Sequence, residues 1–214
     1  KGIELLKKEH IPFYVLMTPY LDNLNEFILD LEEILKRYPM INTLTINTPM
    51  NTDFSWMLPG KKFAKLIYES LQVGRKYKVQ IESAASLVLF SLSKEVLRIS
   101  PCVLSNTEVL ASVSPEGKIS YCSQNWETDS VKISKGLTDQ PFKLKNTKDN
   151  SCSKCPAEFL CGGRCFINCK IKTEKDSNRC EFFINFLKII LDNVEDINKL
   201  NIKNEFNNFY NYHG

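Results

Sequence analysis

The chain has 214 residues, 43% of them hydrophobic, and its 28 lysines and arginines against 25 aspartates and glutamates leave a formal net charge of +3. That size and apolar content suffice for a buried core in one domain or somewhat more, while so small and scattered a charge excess does not argue for nucleic acid or a membrane surface as partner. No run approaches the ~20 consecutive apolar residues of a membrane span, and the N-terminus lacks a signal-peptide layout, which together predict a cytoplasmic protein.

The first residues, Lys1-Gly2-Ile3, read as a helix already under way, so the chain is expected to be a fragment of a longer protein. Residues 11–19, IPFYVLMTP, form a continuous apolar run of strand length, predicting a strand covered on both faces in a parallel sheet. Asp22 or Asn23 then caps a helix, Asn23 and Glu26 having the capping-box spacing. Leu24, Phe27, Ile28, Leu31, Ile34 and Leu35 line one face of that helix, and Pro39 closes it. Residues 41–48, INTLTINT, alternate as a second strand; Leu58-Pro59-Gly60 precedes a helix through Phe63, Leu66, Ile67 and Leu71; and residues 79–81 make a third strand. Strand and helix alternating at these lengths predict βα units and a parallel sheet, with too few strands for a complete barrel.

Residues 84–100 read as one or two bridging helices. Residues 108–114 and 118–122 then flank Pro115-Glu116-Gly117, a hairpin turn in which glycine takes positive φ at little cost. Beyond Cys180, Phe182, Phe183, Phe186, Leu187, Ile190 and Leu191 form an amphipathic helix, followed by an asparagine-rich tail.

Seven of the eight cysteines follow one spacing: Cys102, fourteen residues, Gly117, four residues, Cys122; then C-x2-C-x5-C-x3-C at Cys152, Cys155, Cys161 and Cys165; then Cys180. In a chain this long without a leader, a disulfide framework is the weaker reading. Thiolate is the natural ligand of iron–sulfur clusters, and a C-x2-C loop can reach two adjacent corners of one site. Gly162 and Gly163 let the backbone pass close to a cluster. Seven sulfurs are one short of two four-cysteine sites. Zinc also uses C-x2-C pairs, but ordinarily with a second short pair that is missing here.

Across residues 102–180, with SPEGKISYC before Cys122 and CSKCPAEFLCGGRC from Cys152 to Cys165, the chain resembles the SPASM domain, the auxiliary-cluster domain of many radical S-adenosylmethionine enzymes. LLKKEHIPFYVLMTPYLDN and INTLTINTP are similar to the fifth and sixth strand regions of that family's partial barrel. The resemblance implies an α/β fold. The last βα units of a partial (β/α)6 barrel would occupy residues 1–83, a bridging helical segment 84–101, a small cysteine-rich α+β SPASM domain with its β-hairpin 102–180, and a C-terminal helical segment 181–214.

It further implies two [4Fe-4S] clusters, one on Cys152, Cys155, Cys161 and Cys180, the other on Cys102, Cys122 and Cys165. Some relatives carry a further cysteine just upstream of the position of Cys102, where residues 94–101 have none. Either one iron keeps an open position, to which a substrate thiol binds in some relatives, or Cys169 supplies the sulfur; Cys169 as a buried, hydrophobe-like thiol is the third reading. The radical-generating C-x3-C-x2-C motif is absent from these residues, so the chain by itself is expected not to cleave S-adenosylmethionine. That cofactor and a third cluster would belong to the full-length parent.

The parent implied is a peptide or protein maturase of the thioether-forming, sactipeptide-synthase kind. Its clusters would accept an electron or anchor a cysteine-containing peptide, and a flavodoxin or ferredoxin would serve as reductant. A pure electron carrier and a zinc-stabilised docking module are the alternatives. His10, His213, Trp56 and Trp126 read as ordinary surface or packing residues. Thr18, Tyr20, Asp22 and Asn23 follow the first strand, at the end where barrel enzymes build their sites, with Asp22 and Asn23 already explained as caps.

Overall fold

The structure, a computed structural model, describes residues 2–11, 13–47, 58–86, 88–89, 92, 112–113, 115–120, 131–132, 152–161 and 174–193. The chain divides into two compact units, Lys1–Val96 with Asn178–Gly214, and Leu97–Ser177.

The first unit is built on a parallel sheet of β1 (Val15–Met17), β2 (Thr43–Ile46) and β3 (Gln80–Glu82), in that order. Helix α1 (Gly2–Lys8) precedes β1, α2 (Phe27–Arg37) follows it, and α3 (Gly60–Tyr77) joins β2 to β3. The register pairs Val15 with Leu44 and Met17 with Ile46, and Leu44 in turn with Ile81. Leu44, Ile46 and Ile81 are buried together with Phe27, Leu31 and Leu35 of α2 and Phe63, Leu66, Ile67 and Val73 of α3. Gly74 of α3 lies so close to β3 that an added Cβ would stand 2.5 Å from the Ile81 side chain. This face of the sheet is therefore the one under the helices.

The opposite face carries Leu16, Thr45 and Glu82 in one row and Thr43 and Gln80 in the next. The threonines, Gln80 and Glu82 are half-buried, whereas Leu16 is 59% exposed and Tyr14, just before β1, 86% exposed. The apolar run of residues 11–19 thus yields a strand covered on one face only. The reason is the packing layer: α2 and α3 bury their apolar stripes against the other face, with Leu44, Ile46 and Ile81.

Two helices end on a non-glycine residue in the left-handed region, His10 at φ 54° and Lys78 at φ 58°. The amides of His10 and Ile11 donate to the carbonyls of Lys7 and Leu6, and those of Lys78 and Val79 to Arg75 and Gly74. Each set closes the last helical turn in the Schellman pattern. The expected capping box of Asn23 and Glu26 does not form. Asn23 instead ends a 3-10 turn, Leu21–Asn23, where its Oδ1 accepts from the Tyr20 amide at 2.8 Å and its Nδ2 donates to the Thr18 carbonyl at 3.3 Å. Helix α2 begins only at Phe27, where the buried apolar period starts, with Glu26 before it.

The predicted C-terminal helix starts earlier than its apolar stripe suggests, as α5 (Glu174–Asp192), so Cys180 lies inside it. From Asn178 onward it belongs to the first unit. Phe182 packs its ring 5.0 Å from Phe63 and 5.6 Å from Phe186, and Phe183 and Ile190 are buried beside them. Leu191, expected on this stripe, is exposed. Of the bridging segment, Ala85, Val88 and Leu89 are buried, and the Leu89 amide donates to the Ala85 carbonyl.

In the second unit β4 (Ser112–Val113), β5 (Lys118–Ser120) and β6 (Val131–Lys132) form an antiparallel sheet. Gly117 takes φ 72° in the turn between β4 and β5. A 3-10 turn, Cys152–Lys154, and the short α4 (Glu158–Cys161) complete its described elements.

Candidate metal centre

Four of the seven patterned cysteines fall among the described residues: Cys152, Cys155, Cys161 and Cys180, all present as thiols. Cys102, Cys122 and Cys165, the proposed second set, lie outside the described residues, as do Cys169, Trp56, Trp126 and His213.

Residues 152–161 fold as a succession of tight turns. The Cys155 amide donates to the Cys152 carbonyl at 2.9 Å, the Glu158 amide to the Cys155 carbonyl at 3.1 Å, and the Cys161 amide to the Ala157 carbonyl at 2.8 Å. The 3-10 turn spans Cys152–Lys154 and the Cys155 amide closes it, so the two cysteines stand at its start and just past its end. Both are half-buried. Such a pair suits two adjacent corners of one metal site. Pro156 next to Cys155 has no amide to satisfy and suits the first turn before α4. Cys161, at the end of α4, is buried, and Ala157 beneath the turn is buried as well.

Cys180 is half-buried on α5, in the first unit. Its neighbour Arg179 holds its guanidinium 5.2 Å from the Phe183 ring centre, while the Arg179 Nε is buried without a hydrogen-bond partner. The four-residue spacing of Arg179 and Phe183 would have revealed this contact had the helix been drawn from Glu174 rather than after Cys180. Gly60, which lets α5 approach α3, was legible in sequence only as a helix start.

Among the described residues, no group of three or more histidine, cysteine, aspartate or glutamate side chains is gathered so as to hold a metal ion. The fit to a cluster therefore rests on donor type and on the Cys152–Cys155 turn, not on an assembled cage. Of the residues flagged after β1, Asn23 closes its own turn, Asp22 is exposed, and Thr18 is half-buried. His10 serves as a helix-terminating residue. No helix among the described residues is long and apolar enough to cross a membrane. Comparison of the chain with family models, with curated proteins and with solved structures finds no match.

Proposed function

We propose that this chain is the auxiliary-cluster portion of a radical S-adenosylmethionine peptide maturase, a cytoplasmic protein carrying two [4Fe-4S] clusters. The reading rests on the seven-cysteine spacing. What supports it beyond spacing is the tight turn from Cys152 to Cys155, closed by a 2.9 Å backbone hydrogen bond.

In this reading Cys152, Cys155, Cys161 and Cys180 hold one cluster. Cys102, Cys122 and Cys165 hold the other, with Cys169 or a substrate thiol at the remaining iron. When bound, such clusters supply one-electron acceptance or a Lewis-acidic iron for a thiol. The chain's own contribution is to present cysteine sulfurs from short turns and from a helix. α5 carries Cys180, and its aromatic face is anchored on Phe63. Peptide substrate and a ferredoxin- or flavodoxin-type reductant are the partners proposed.

The test is the content of iron, sulfide and zinc per chain after anaerobic reconstitution. About eight irons and as many sulfides are expected from two [4Fe-4S] sites. Zinc without iron would overturn the proposal in favour of a zinc-stabilised module.

A further inference from the structure

Arg179 stands on the apolar side of α5. Residues 179, 182, 183, 186 and 190 recur at the spacing of a single helical stripe, and Phe182, Phe183, Phe186 and Ile190 of that stripe are buried. Arg179 opens the stripe and is itself half-buried. Its guanidinium lies 5.2 Å from the Phe183 ring centre, and its Nε is buried with no hydrogen-bond partner. The ion pairs among the described residues are Lys65 with Glu69 and Lys76 with Glu32, so no described carboxylate pairs with this cation. Glu181, two residues on, falls on the other side of the helix. A cation set in an apolar stripe costs its desolvation unless an anion compensates it, and a ring face offsets only part of that cost.

Cys180 is the next residue, and it lies three before Phe183, so the ring that Arg179 covers is a neighbour of Cys180 on the helix surface. We propose, resting on the cluster reading above, that Arg179 is the charge partner of the cluster that Cys180 helps to hold, and that its guanidinium raises that cluster's reduction potential. Four thiolates outweigh the charge of an oxidised iron–sulfur core, so the site is anionic, and net charge is one of the properties that set its potential. Reduction brings one electron from the ferredoxin- or flavodoxin-type donor and adds one negative charge; no bond forms or breaks, and the arginine keeps its proton. A fixed positive charge close by favours the more negative state.

The test is a redox titration with dithionite, followed by electron paramagnetic resonance, of the reconstituted full chain and of Arg179→Leu and Arg179→Lys. Arg179→Leu is expected to keep its iron and to disfavour reduction of one cluster at least tenfold, a lowering of about 59 mV for one electron. The cluster affected should be the one that Cys180→Ser removes. Arg179→Lys, which keeps the charge without the planar fork, should recover at least half of the shift. A fully loaded Arg179→Leu chain with wild-type potentials overturns the proposal, and so does an equal lowering by leucine and lysine, which would assign the effect to shape. Should Arg179→Leu lose the cluster, Arg179→Gln takes its place in the comparison. Loss by both neutral variants with retention by Arg179→Lys supports the charge partner, and loss by all three overturns it. A wild-type chain without iron ends the cluster reading and this inference with it, whereas full iron with unshifted potentials ends this inference alone.

Discussion

Gly60 and Phe182 meet backbone to backbone: a Cβ added to Gly60 would stand 2.5 Å from the Phe182 amide nitrogen, and it would overlap the Asn178 carbonyl oxygen outright. The first turn of α3 is thereby pressed against the stretch of α5 that carries Cys180. Neither obstacle is the far end of a flexible side chain, so nothing can swing aside. Gly60→Ala should destabilise the first unit by about 2–3 kcal/mol, as for an overpacked core site. Urea unfolding reads this loss. Amide exchange should show it concentrated in residues 178–192, and unchanged protection there would mean that the contact is not made.

The aromatic side of the same junction makes the complementary prediction. Phe182 touches Phe63, Phe183 and Phe186, and Phe186 is fully buried. Phe186→Ala leaves a hole among rigid rings and should cost about 3–5 kcal/mol. Phe186→Leu, which keeps most of the volume, should cost clearly less in the same denaturation experiment.

His10 and Lys78 occupy left-handed conformations that glycine adopts without steric cost. Replacing either by glycine relieves that strain but enlarges the entropy of the unfolded chain, and the first effect is the larger. Lys78→Gly is therefore expected to raise stability by about 0.5–1 kcal/mol, seen as a higher denaturation midpoint. Lys78→Ala, which keeps a Cβ, should bring no such gain.

Lys76 and Glu32 join α3 to α2 through a 2.9 Å ion pair at the surface. The Glu32 hydrogen bond, then its charge, holds the Lys76 ammonium above its usual 10.5. Because the folded-state value is raised, the pair's stabilisation is present in full below the unfolded value and fades as pH rises through the folded one. The stability gap between wild type and Glu32→Gln should thus be small at neutral pH and close in strongly alkaline buffer. A gap that widens there would contradict the assignment.

The proposed division of the cysteines can be tested by loss of metal. Changing Cys152 and Cys155 together to serine should remove about half of the iron, one [4Fe-4S] site of two. Cys180→Ser should remove the same half, whereas Cys102→Ser should affect the other. Iron and sulfide analysis with electron paramagnetic resonance distinguishes these outcomes, and iron unchanged in the double variant would end the cluster reading.

Local periodicity and turn chemistry lay open in the chain. The alternation of INTLTINT marked β2, the stripe of Phe27, Leu31 and Leu35 marked α2, and Gly117 marked its turn, because each depends on neighbours a few residues away. The cysteine spacing was equally local, and the structure adds to it the backbone turn that joins Cys152 to Cys155. The open side of β1 was not legible: an apolar run reads alike whether one face or both are covered, and only the helices packed on the sheet decide which. Nor could sequence join Leu16, Thr45 and Glu82, or set Gly60 against Asn178, since residues this far apart meet only through sheet register and helix docking. Composition and spacing determined which side chains are available; long-range packing decided which of them share a surface.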